Sequence, residues 1–270
     1  MSESKYEKKL NQLDKARKSF VQSGINPRQK GYENKRIIFE WIYRWGFTTS
    51  NVGLLLLERS SGGYLKRLAE KKWLESIKTE SGMPMNYFTL SKLGLEEAER
   101  DSDYLVKYLE IDPYKVDQKK IRHSLMAQTS TLNALKSGLI TGYETERMFA
   151  HQGDKSGIKR PDVIWITKAG QRLGIEVELT AKWERDLDNF ILGILRALRS
   201  NTNEGNELSR FAVISDSKAI LSRYSEAMQA GQQLAIWEKN ARNHWKKQRT
   251  IEVPDWLISR VDFQLVGDKS

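Results

Sequence analysis

The stretch Arg160–Lys182, RPDVIWITKAGQRLGIEVELTAK, gathers the side chains most capable of catalysis. Asp162 follows a proline and stands at the mouth of an apolar run, Val163-Ile164-Trp165-Ile166. Thr167–Gln171 supplies a polar turn containing a glycine, and Leu173–Leu179 resumes as a second run whose end alternates apolar and acidic residues. Two short β-prone runs joined in this way predict a hairpin. Residues two apart on a strand share a face, so Glu176 and Glu178 point the same way with Cα atoms roughly 6–7 Å apart. Ile175, Val177 and Leu179 face the opposite layer, and Asp162 can join the two glutamates from the partner strand.

Clustered carboxylates repel one another and lose hydration, so such a group is usually compensated by a cation or a divalent metal. Oxygen-only donors favour Mg²⁺ or Mn²⁺, which keep several waters and can bind a phosphate oxygen. Such an ion polarises a phosphodiester and lowers the pKa of bound water. The plain alternative is a solvated strand face with alternating glutamates, and Glu-x-Glu alone does not choose between the two.

The elements that must position these acids are those of an α/β sheet. A helix over Lys119–Ser137 precedes an extended segment, Leu139–Phe149, containing Glu144 and Glu146. After the acidic hairpin, Thr180 can cap a helix Trp183–Arg199 with an apolar stripe at Phe190, Ile191, Ile194, Leu195 and Leu198. Asn201–Asn206 reads as a turn, Arg210–Ser215 as a buried strand, Ser217–Gln229 as a helix and Gln233–Trp237 as a strand. Asn240–Arg249 is a basic run around Trp245, either a solvated helix end or a surface for phosphates and a stacked single-stranded base. Val253–Val266 is β-prone and has no assigned place.

The first half has a different pattern. Residues 1–30 form a basic extension, either a solvated tail or a phosphate contact. Ile37, Ile38, Trp41, Ile42 and Trp45 recur at helical spacing up to Gly46. Thr48-Thr49-Ser50 offers a cap for a helix Asn51–Arg59. Ser60-Ser61 offers another for a helix bearing Tyr64, Leu65, Leu68, Lys66 and Arg67. Trp73–Lys78, a polar tip and Tyr87–Leu90 form a hairpin. The stretch Tyr64–Leu74 with Phe88–Gly94 is similar to winged helix-turn-helix DNA-binding domains. That similarity implies groove contacts from Ser60, Ser61, Tyr64, Lys66 and Arg67, with Lys78 near the wing. Tyr64 can instead pack inside, and winged helices also bind proteins. An acidic helix over Leu93–Leu109 ends at Ile111-Asp112-Pro113, which sets the expected boundary between residues 31–112 and 113–270.

Composition narrows the classes. The 270 residues are 39% hydrophobic with eight tryptophans, enough for real cores, and no apolar run approaches the roughly 20 residues of a membrane span. The N-terminus lacks a signal-peptide segment, so a cytoplasmic protein without membrane partners is expected. The absence of cysteine excludes disulfides, thiol catalysis and Cys-ligated zinc, and His123, His151 and His244 are too scattered for a zinc site. A net charge of +10 and a pI near 9.5 favour a nucleic-acid partner.

Pro161-Asp162, the hairpin, Glu176-Val177-Glu178 and Lys182 resemble the core of the PD-(D/E)xK nuclease superfamily, with its restriction-endonuclease-like fold. Glu178 stands where that pattern usually has lysine, and Lys182 is then the candidate for the displaced cation. With the winged helix, His123-Ser124-Leu125 and Thr145-Glu146-Arg147, the chain resembles the replication-relaxation family, which includes the MobC-type plasmid mobilisation relaxases. The resemblance covers roughly Tyr32 to Ser200. It implies a winged helix followed by a nuclease-like mixed-sheet domain that nicks one strand of double-stranded DNA at a plasmid transfer origin. Asp162, Glu176 and Glu178 would then hold Mg²⁺ or Mn²⁺, Glu146 would add a carboxylate, and Lys182 would steady the phosphate. Single-stranded DNA and other mobilisation proteins are further partners that it admits. His123 is expected to make a structural hydrogen bond, and a covalent tyrosine such as Tyr143 stays open. A non-catalytic origin-binding regulator and a restriction endonuclease are the competing functions.

Overall fold

The structure, a computed structural model, describes residues 26–107, 109–149, 158–199 and 208–267. Most of the basic extension, His151 and the Asn201–Asn206 turn lie outside them. Helix α1 (Pro27–Trp45) opens with a proline and an Asn26 side chain that accepts the Arg28 N–H, and it closes at Gly46, whose φ of 89° suits glycine. Strand β1 (Thr48–Thr49), α2 (Ser50–Leu56), α3 (Tyr64–Glu70), β2 (Leu74–Lys78), β3 (Asn86–Leu90) and α4 (Lys92–Asp101) follow. The three strands form an antiparallel sheet in the order β1-β3-β2.

Several boundaries differ from those expected. Thr48-Thr49 pairs with Tyr87-Phe88 as a strand, and the helix that follows ends at Leu56, short of Arg59. Ser60 and Ser61 do not cap α3: its N-cap is Gly63 at φ 89°, and both serines lie in the exposed loop before it. A hydroxyl that far upstream does not reach the first free N–H groups.

The second half contains α5 (Ile121–Lys136), β4 (Ile140–Thr145), α6 (Glu146–Phe149), β5 (Val163–Thr167), β6 (Arg172–Val177), α7 (Glu184–Arg199), β7 (Arg210–Ser215), α8 (Lys218–Ala227), β8 (Gln233–Lys239), β9 (Trp245–Glu252), α9 (Asp255–Ile258) and β10 (Val261–Leu265). Five strands form one mixed sheet, β10-β7-β6-β5-β4. The β4-β5-β6 ribbons are antiparallel, whereas β6, β7 and β10 run parallel. Val163, Ile175, Val177 and Ile214 face α5, and Phe211 and Val213 face α7 and α8. The fold is therefore mixed α/β with helices on both sheet faces.

Three further expectations are corrected. Glu146 begins a short helix and is not in a strand. Thr180 lies outside α7, whose first turn closes on the Trp183 carbonyl. Asn240–Arg249 forms no helix end: it is the turn and second strand of the hairpin β8–β9. The β-prone tail supplies α9 and the edge strand β10.

The halves meet through a shared apolar cluster. Trp41 of α1 and Val52 of α2 pack with Ala127, Leu132, Tyr143 and Trp165 beneath the five-stranded sheet. Gln128, fully buried on α5, accepts hydrogen bonds from Trp41 Nε1 (2.9 Å) and Thr48 Oγ1 (3.0 Å), and donates to the Phe47 carbonyl (3.0 Å). No described helix is long and apolar enough to cross a membrane.

Candidate functional site

The β5–β6 ladder pairs Val163 with Ile175, which sets Asp162 opposite Glu176 at the strand end. Asp162 N–H donates to the Ile175 carbonyl (2.9 Å), and its Oδ2 accepts the Val177 N–H (2.8 Å). Beyond β6 the chain stays beside β7, with the Glu178 N–H donating to the Ile214 carbonyl (2.8 Å). The pleat turns Ile175 and Val177 into the core and Glu176 and Glu178 to the other face. The three carboxylates line one cavity of about 410 Å³, shared with Glu146, Lys182 and His123. Glu146 stands exposed on its rim.

Each of the three central carboxylates has a lysine or histidine neighbour. Glu176, only 1% exposed, receives Lys159 Nζ at 2.8 Å. Glu178 binds Lys182 through Oε1 and accepts the buried Tyr224 hydroxyl at Oε2 (3.1 Å). His123 Nε2 lies 2.9 Å from the Val177 carbonyl and 3.3 Å from Asp162 Oδ2. Both neighbours of that nitrogen are acceptors, so Nε2 carries the proton. The hydrogen bond expected of His123 is therefore present.

Burial pushes the Glu176 carboxyl well above the usual range, helped by the charge of Asp162 and opposed by Lys159. Desolvation lowers the Lys159 pKa, but Glu176 and the other acids outweigh it and raise the ammonium. Burial likewise acts against the His123 imidazolium, and Asp162 overcomes it, so the net shift is upward.

Glu176 Oε1 is buried and has no hydrogen-bond partner. A native fold rarely leaves such an atom orphaned, because the cost is on the order of 1–3 kcal/mol and larger for a charge. Among the described residues no group of three or more His, Cys, Asp or Glu side chains is arranged to hold a metal ion. Glu176 and Glu178 are drawn onto Lys159 and Lys182 instead. The donor set nevertheless suits a hard divalent cation: an unused buried oxygen stands at the centre, with two more carboxylates in the same cavity. Moving either lysine aside would free further oxygens.

Lys159 is the member that sequence reasoning missed. It precedes Arg160-Pro161-Asp162 in a segment with no periodicity, and α7 brings it inward. Its N–H donates to the Gly193 carbonyl (3.1 Å), and a Cβ on Gly193 would lie 2.9 Å from the Lys159 Cβ. Lys159 and Lys182 both stand over the Phe190 ring, at 5.7 and 4.9 Å. Tyr143 is buried against Trp41 and Trp45, which does not suit a covalent nucleophile.

The groove candidates lie on the first half of the chain. Lys66 and Arg67 are exposed on α3, whose Leu65 and Leu68 face inward, and Lys78 is exposed at the end of β2. Ser60 and Ser61 are exposed as well. Tyr64 is half-buried, its hydroxyl donating to the Gly31 carbonyl (3.3 Å), with Arg59 and Arg67 over the ring at 5.1 and 5.8 Å. Burial raises its phenol pKa. Comparison of the chain with protein-family models, curated proteins and solved structures returns no match.

Proposed function

We propose that this chain is a divalent-metal-dependent DNA endonuclease that nicks one strand, the activity implied by its resemblance to plasmid mobilisation relaxases. The observation that carries the reading is the orphaned Oε1 of buried Glu176, set among Asp162, Glu178 and two lysines in one cavity. Asp162, Glu176 and Glu178 would hold Mg²⁺ or Mn²⁺, with Glu146 able to approach from the rim. The ion, when bound, supplies Lewis-acid polarisation of the phosphodiester and a more acidic water. Lys182 and Lys159, released from their carboxylates, would face the negative charge that builds on the phosphate. His123 would fix Asp162 through its Nε2–H.

The first half is proposed to be a winged helix that holds duplex DNA. Its order of helix, short strand, two helices and a two-stranded wing supports this, as do the exposed cations Lys66, Arg67 and Lys78. Ser60 and Ser61 would reach phosphate from the loop before α3, and Tyr64 would act as packing for the neighbouring arginines. A second reading, an origin-binding regulator without turnover, is favoured by one observation: all three carboxylates already have a lysine or histidine neighbour.

Supercoiled plasmid carrying a transfer origin, incubated with Mn²⁺, separates these readings. Relaxed circles are expected, and they should vanish with Asp162→Asn and Glu176→Gln while duplex binding persists. Linear product would indicate a restriction endonuclease, and retarded but uncut DNA the regulator. Charge reversal at Lys66 and Arg67 should reduce the dependence of log affinity on log salt by about 0.9 for each phosphate no longer neutralised. Unchanged affinity and slope would assign this half to a protein partner.

A further inference from the structure

Two tryptophans stand in solvent, one of them directly after a residue that lines the carboxylate cavity. Trp183 follows Lys182 directly and is 63% exposed, and Trp245 opens β9 and is 45% exposed. Indole rings contribute large burial energies when covered, so a cluster of exposed ones marks a contact surface. Each ring already carries a guanidinium: Arg223 lies 3.6 Å from the centre of Trp183, and Arg185 lies 4.9 Å from that of Trp245. Arg185 is two residues beyond Trp183, so it links the two rings into one patch.

The β8–β9 hairpin that bears Trp245 has a fixed root and a solvent-exposed end. Leu234 and Val253 are buried in the cluster around α7, and Trp237 Nε1 donates to Asp188 Oδ2 on that helix (2.8 Å). Trp245 through Thr250, by contrast, are all exposed, on both faces of the ribbon. The stretch from Trp237 to Arg249 carries Lys239, Arg242, Lys246, Lys247 and Arg249 against a single acid, Glu238. The exposed end of such a ribbon gains nothing from a core and suffers repulsion among its own cations. A polyanion relieves that repulsion, and solvent-exposed indoles select one whose bases are unstacked. A duplex keeps its bases stacked internally, and an acidic protein offers none.

We propose that this hairpin and Trp183 form a binding surface for single-stranded DNA, with bases on the two indoles and phosphates on the flanking lysines and arginines. The surface begins one residue from Lys182, so it would receive a strand as it leaves the carboxylate cavity. That placement rests on the nuclease reading, whereas the affinity does not.

Fluorescein-labelled oligothymidylate, titrated with the full chain in the absence of divalent metal, tests it by anisotropy. Trp183→Ala and Trp245→Ala should each weaken binding by about tenfold while leaving duplex affinity unchanged. Lys246→Glu with Lys247→Glu should weaken it and flatten its salt dependence. All four positions are solvent-exposed, and unchanged thermal melting would confirm intact folding of each variant. Unchanged oligothymidylate affinity in both tryptophan variants would overturn the proposal, as would equal competition by polyglutamate. Tighter binding of oligouridylate would overturn the assignment to DNA. Tryptophan-dependent oligonucleotide binding in a protein that never nicks would retain this surface and remove the nuclease; nicking with binding that ignores both tryptophans would do the reverse.

Discussion

Glu176 is the most deeply buried of the three central carboxylates, 1% exposed and with one oxygen unpartnered. Its pKa is raised, so folding takes up a proton there, and the fold becomes less stable as pH rises from the unfolded value toward the folded one. A divalent ion reverses the preference by favouring the ionised carboxylate. Binding of Mn²⁺ should therefore release protons, and release more at pH 6 than at pH 8. Calorimetry in two buffers of different ionisation enthalpy measures this directly. Glu176→Gln should bind Mn²⁺ more weakly and lose the pH dependence of proton release; a variant that retains both would exclude Glu176 as a ligand. Lys159 sets the opposing charge, and Lys159→Met should destabilise the apoprotein by about 3 kcal/mol, the order found when one member of a buried pair is removed. Chemical denaturation of Lys159→Met beside the double variant with Glu176→Gln should show most of that loss recovered.

At the scale of elements, α4 is held on α1 by Glu97, which takes Lys35 and Arg100 on its two oxygens. The hydrogen bond from Lys35 holds the Glu97 carboxyl below its ordinary 4.5, and burial only partly opposes it. A depressed folded pKa contributes stability that is fully present above the unfolded value and lost as pH falls through the folded one. Glu97→Gln should lower stability by about 1 kcal/mol at pH 7, and the gap should close as pH falls through the lowered folded value. Urea midpoints across that range provide the check. The same scale shows which elements were legible. The β5–β6 hairpin could be read because its apolar runs flank a polar turn with Gly170 at φ 74°. Helix α7 could be read because its stripe keeps one face apolar along its length. Strand β9 could not, since exposure on both faces removes the alternation that marks a strand. Strand β10 pairs in parallel with β7, far away in sequence, and nothing local announces that partner. The placing of Asp162 beside Glu176 at one cavity could be read from strand pairing, and Glu178 joins them from just beyond β6. Lys159 depends on the notch at Gly193, a tertiary feature.

At the scale of the whole molecule, the first half of the chain and the cavity are joined by packed structure. Trp41 and Val52 enter the cluster beneath the larger sheet, and Arg147 donates to the Tyr43 and Glu110 carbonyls. Arg44 and Trp45 of α1 themselves line the carboxylate cavity. Gln128 is the polar pin of this seam: it serves Trp41, Thr48 and Phe47 at once, and its full burial keeps water from taking its place. Gln128→Leu keeps the side chain's approximate volume but leaves an indole N–H, a hydroxyl and a carbonyl without their partner. Each such group costs about 1–3 kcal/mol when stranded in a core, although relaxation recovers part of the sum. A loss of about 3 kcal/mol is expected, seen as a lower urea midpoint with one transition retained. If the halves were coupled only by a connecting segment, the variant would instead resolve two transitions, with the second unmoved. Tryptophan fluorescence and far-ultraviolet circular dichroism, followed together through the same titration, distinguish these outcomes: coincident curves mean that the seam makes one cooperative unit, and divergent curves mean that it does not.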